Sequence, residues 1–121
     1  MLSLIPVTAM AYFPRLAVES AFTRKDIKKP GIKIVFTNQP DNYFRSITAT
    51  KDPALRDIIR KLVEADRKRA YNVSEQYEGD GGGIILNILH EGKYVHVGFS
   101  FGGNGDFRLF LQTDNPELFK R

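Results

Sequence analysis

The strongest constraint in this chain is a pair of alternating apolar runs, residues 84–90 and 94–101, separated by Glu91-Gly92 and Lys93. A two-residue turn at Glu91-Gly92 pairs His90 with Lys93, because turn length sets the register of the strands it joins. Ile84, Leu86 and Ile88 then stand opposite Phe99, Val97 and Val95 and share one face with them. Pairing Phe101 with Phe107 across the 102–106 loop brings a third strand, residues 107–112, which adds Leu109 and Leu111 to that face. A one-residue slip would send these side chains to the other side, so the apolar pattern itself selects the register. One face of the sheet therefore needs a cover.

A helix over about residues 53–69 supplies it. Asp52 is suited to the N-cap and Pro53 to the first helical position, where a missing N–H costs nothing. Leu55, Ile58, Ile59 and Leu62 follow at i, i+3, i+4 and i+7, the spacing of one apolar stripe. The next position on the stripe is Asp66, so burial is expected to fade there. Asp57 with Lys61 and Glu64 with Lys68 are expected as acid-before-base pairs on the exposed side.

Residues 32–36 and 43–50 read as a hairpin around Asn38-Gln39-Pro40-Asp41-Asn42, with Phe36 opposite either Tyr43 or Phe44. Residues 72–77 suit a further strand, the glycine-rich stretch 79–83 a flexible connector, and the residues after Asn115-Pro116 a final helical turn. Residues 1–29 fit either an alternating strand or a short helix starting at Pro14. The fold class is α+β: one main helix packed on a mostly antiparallel sheet, in the order β-β-α-(β)-β-β-β. With 42% hydrophobic residues in 121, the chain is expected to form a single domain, 1–121, around one core.

Without cysteine the chain has no disulfide, thiolate metal site or cysteine nucleophile. The register puts His90 at the rim of the core face and His96 on the opposite face, so no metal site is expected. Neither glycine-rich loop has the Gly-Lys-Ser/Thr ending of a phosphate-binding loop, no hydrolase motif is present, and no cofactor is expected. Enzymatic activity is left undecided, with absence favoured. A small hydrolase assembled from loops, with Asp80 and Asp106 as its carboxylates, is the third reading. Ala9 to Ala11 match a cleavage pattern, but Pro6 breaks the apolar stretch and no basic residue precedes it, so a signal peptide is not expected. No run reaches the ~20 apolar residues of a transmembrane helix. The default compartment is cytoplasmic, with an extracytoplasmic one if a signal or anchor lies outside the sequence considered.

Two surfaces are candidates for function. The second face of the sheet lines up Asn87, His96 and Gln112, with Tyr94, Arg108 and Phe110 beside them and Phe110 opposite Gly98. Such a face suits recognition. Its other reading, the one favoured on layering grounds, is that the N-terminal segment covers it. Arg56, Arg60 and Arg67 form a basic stripe along the helix, and Lys25, Lys28 and Lys29 a second basic cluster. Joined around Tyr43-Phe44-Arg45, they would suit single-stranded nucleic acid, a reading to which the net charge of +4 lends mild support. The leading expectation is a non-catalytic binding or regulatory module that recognises a protein through a sheet face or strand edge. Nucleic-acid binding is the alternative, and homodimerisation through an unprotected edge is a further expectation.

Overall fold

A computed structural model describes residues 15–119. Six strands, β1 (Ile32–Gln39), β2 (Asn42–Ala49), β3 (Ala70–Glu78), β4 (Gly81–His90), β5 (Lys93–Phe101) and β6 (Phe107–Thr113), form one antiparallel sheet in the order β1-β2-β6-β5-β4-β3. Helix α1 (Pro53–Asp66) connects β2 to the far edge strand β3, and the chain then meanders back until β6 pairs with β2. A 3-10 turn, Arg67–Arg69, extends the helix to the expected end.

The central register is the one the alternation requires. His90 pairs with Lys93, Leu86 with Val97 and Phe101 with Phe107. Both turn residues have positive φ, 54° at Glu91 and 77° at Gly92, as a type I′ hairpin demands. β2 then adds Ile47 opposite Leu109 and Ala49 opposite Phe107. The resulting apolar face is sealed by Leu55, Ile59 and Val63 of α1, with Ile58 and Leu62 half-buried beside them. Ile59 and Val63 are fully buried, each contributing on the order of 1.5–3 kcal/mol. Asp52 caps the helix by accepting from Leu55 N at 3.2 Å, and its carboxylate also meets Lys29 Nζ at 2.8 Å. That ammonium, together with the backbone bond, holds the Asp52 carboxyl below the usual carboxylate range.

Several local expectations are corrected. Asp66 is not where burial fades: it is 1% exposed, and its carboxylate accepts from Ala17 N at 2.8 Å and Val18 N at 2.9 Å. It thereby ties down the 3-10 helix Ala17–Thr23, whose Val18 and Ala21, with neighbouring Leu16, complete the core. Residues 15–29 therefore add to the helix layer, as 3-10 turns rather than a strand. Asp57 and Glu64 meet Arg56 and Arg67 instead of Lys61 and Lys68. In the first hairpin the turn is Pro40-Asp41 alone, and Phe36 faces Arg45 rather than Tyr43 or Phe44. Asn38 and Gln39, polar enough to read as turn residues, are ladder residues paired with Tyr43 and Asn42. The glycine-rich stretch is no flexible connector: Gly79-Asp80 is a tight turn, and Gly81, Gly82 and Gly83 lie in β4 opposite Glu78, Tyr77 and Gln76.

Candidate functional site

Because strand side chains alternate, covering one face leaves four rows of side chains on the other. The first row runs Lys33, Thr48, Arg108, Ser100, Gly83, Gln76, and the second Val35, Ser46, Phe110, Gly98, Ile85, Ser74. The third runs Thr37, Phe44, Gln112, His96, Asn87, Asn72. Leu89 and Tyr94 pair in the fourth, beside Asp114 just past β6. Among the described residues nothing lies over this face. Ile85 is 45% exposed, Leu89 and Tyr94 each 54%, and Tyr71 61%. The second layer expected from the N-terminal segment is absent from residues 15–29, which pack against α1; residues 1–14 lie outside the described part.

The polar row is hydrogen-bonded laterally. Asn87 Nδ2 donates to Asn72 Oδ1 at 3.3 Å, which leaves the Asn87 oxygen to accept from His96 Nδ1. Gln112, in register with His96, donates to Asn42 Oδ1 at 2.9 Å. Asn72, Asn87 and His96 thus orient one another, while Gln112 is held from the β2 side. Aromatic contacts flank the row. Phe44 stacks on Phe110 with centroids 5.9 Å apart, and Tyr71 meets Tyr94 edge-on at 6.2 Å. The Arg108 guanidinium lies 5.9 Å from the Phe110 ring and meets no carboxylate among the described residues. Two hollows mark the face: one of about 950 Å³ between Gly83, Ile85, Ser100, Arg108 and Gln76, and one of about 360 Å³ between Asp41, Tyr94, Gln112 and Asp114.

All six residues anticipated on this face lie on it. Leu89 and Ile85 prove to be its most exposed aliphatic groups. Phe44, Asn42, Asn72 and Tyr71 were missed, because their membership depends on which strands neighbour β4 and β6. Tyr71 reaches the face through a bulge between Ala70 and Asn72, an irregularity that alternation cannot anticipate.

The basic stripe has a different use. Arg56 Nη1 donates to the carbonyls of Gly102 at 2.9 Å and Gly103 at 3.1 Å, and its Nε meets Asp57. Arg60 lies 4.5 Å over the Phe101 ring. Arg67 forms a fork with Glu75, one arm at 2.6 Å, and also meets Glu64. With the Tyr77 hydroxyl adding a bond, that fork holds the Glu75 carboxyl down at about 2. Each arginine thus ties α1 or its 3-10 extension to a different strand or loop: Arg56 to the loop after β5, Arg60 to β5 and Arg67 to β3. Lys25, Lys28 and Lys29 are exposed, and Lys29 pairs with Asp52 beyond the Ala49 end of β2. Tyr43 lies at the other end of that strand, ~20 Å away at ~3.3 Å per residue, so the two basic clusters do not meet around it.

His90 and His96 stand on opposite faces, and the described residues contain no cluster of three metal-binding side chains. The Asp106 carboxylate accepts from Lys51 N at 2.9 Å and from Asn104 Nδ2 at 3.1 Å, so it acts as a loop brace. Asp80 packs against the backbone of Gly103. No helix of the described residues is long and apolar enough to cross a membrane. Compared with known families, curated proteins and solved structures, the chain matches none.

Proposed function

We propose that this chain is a non-catalytic protein-binding module whose recognition surface is the open sheet face. One observation carries the reading: helix, 3-10 segment and core all occupy one side, while Ile85, Leu89, Tyr94 and Tyr71 stand exposed on the other. Grouped apolar surface marks interaction sites on folded proteins, and Leu89, Tyr94 and Tyr71 form such a group, with Ile85 across the polar row from them. Aromatic anchors beside a preordered row of amides add the usual composition of an interface centre and its polar surround. The helix arginines, engaged with strands and loops, favour this reading over nucleic-acid binding.

The test uses the full chain, tagged, as bait in extract from its native host. Ile85→Ser and Leu89→Glu remove exposed side chains that the core does not use. A specifically retained protein should be lost from both variants while their thermal midpoints stay near that of the parent. Retention of the same protein by both would count against the face as the docking surface.

A further inference from the structure

The open face carries opposite charges at its two ends, Lys33 and Arg108 on the first row and Asp114 on the fourth, with Asp41 in the adjacent turn. Its relief is also uneven. Gly83 leaves a dent on the first row, since a Cβ built there would meet only Phe99 O at 3.8 Å. On the same strand, Leu89 projects from the fourth row.

We infer that the occupant of this face is a second copy of the chain, packed sheet against sheet about a two-fold axis lying in the interface and perpendicular to the strands. This rests on the reading of the face as a protein-docking surface. Rotation about such an axis keeps each strand over its own copy but exchanges the rows, first with fourth and second with third. Arg108 then faces Asp114 of the second copy. Leu89 falls on the dent over Gly83 of the second copy, and Tyr94 on its Ser100. A two-fold parallel to the strands would instead lay each row on itself, setting Arg108 over Ser100 and leaving the charges without partners. The sheets of a sandwich cross at about 30°, an angle that displaces residues least on the two central strands, β6 and β5, which carry the Arg108–Asp114 and Tyr94–Ser100 pairs, and more on β4 beside them.

The area suffices. Six strands about 4.8 Å apart and seven residues at about 3.3 Å each span roughly 650 Å². Two such faces bury about 1,300 Å², within the standard range for a stable protein pair.

Sedimentation velocity on the full chain at concentrations on the order of 100 µM should show a dimer. Leu89→Glu should weaken it at least about thirtyfold, because it buries an unpaired charge in place of an apolar side chain. Gly83→Leu, which fills the dent where a side chain meets open space, should give a folded monomer with an unchanged or raised thermal midpoint. Arg108→Asp and Asp114→Arg should each weaken the dimer, and the two together should restore it, since each copy then presents the exchanged pair. A monomeric parent protein would overturn the inference, as would a dimer indifferent to Leu89→Glu and Gly83→Leu. If the parent is monomeric yet captures a different protein that Leu89→Glu releases, the second copy is excluded and the docking face stands. If it captures nothing that Leu89→Glu releases, both fail.

Discussion

The Phe110 ring lies directly on the backbone of Gly98, so close that a Cβ built on the glycine would stand 2.0 Å from the ring's Cε2. Register makes the two residues cross-strand partners, and the ring takes the place of the missing side chain. Gly98→Ala should therefore displace Phe110 and break its stacking on Phe44, costing about 1–3 kcal/mol as an overpacking change. In a Phe110→Ala background the same substitution should cost far less. A double-mutant cycle by chemical denaturation checks this, and additive effects would show that ring and glycine are not coupled.

Asp66 should be the anchor of the N-terminal layer. Asp66→Ala leaves the N–H groups of Ala17 and Val18 without their acceptor, and the Val18 bond is buried. The expected loss is on the order of 2–4 kcal/mol for two charge-assisted bonds. Amide hydrogen exchange should rise at Ala17 and Val18 ahead of the sheet, because the local layer opens first.

Gly105 closes the loop onto the start of α1. Its φ is 99°, its carbonyl accepts from Asp52 N at 3.0 Å, and an added Cβ would lie 2.6 Å from Pro53 Cδ. Gly105→Ala should thus be destabilising by more than the roughly 1–3 kcal/mol of an unfavourable backbone conformation alone. Gly83→Ala, in a strand with open space beside it, should not be. Comparing the two melting temperatures tests the distinction.

The Arg67–Glu75 fork makes a signed prediction about pH. The Glu75 carboxyl falls from its ordinary 4.5 to about 2 in the folded protein, chiefly through Arg67 and secondarily through Tyr77. A depressed folded-state value means the unfolded chain binds the proton first, so the contribution is fully present above about 4.5 and disappears as pH falls towards 2. Glu75→Gln should flatten the stability profile in that acid window and leave its shape near neutrality unchanged. Both partners are partly exposed, so salt should reduce the effect. Urea denaturation from pH 2 to 7 measures it.

What the sequence determined by itself is the part encoded over short stretches of chain. Strict alternation on both sides of Glu91-Gly92 set the register of β4 and β5, and continuing the apolar face across residues 102–106 placed β6, putting Asn87, His96 and Gln112 in one row. Asp52-Pro53 with a stripe at helical spacing likewise located α1. The tertiary structure decided the partners of groups that local pattern leaves equivalent. Asp66 looked like the polar end of a stripe because its donors, Ala17 and Val18, lie 49 and 48 residues away. Three arginines looked like a basic face because the ring, carbonyls and carboxylate that engage them belong to β3, β5 and the loop after it. The side taken by residues 15–29 was undecidable for the same reason: Leu16, Val18 and Ala21 could seal either layer, and the buried acceptor at Asp66 drew them to the helix side. Periodicity is a property of neighbours in the chain, whereas burial and charge pairing depend on which distant surfaces meet.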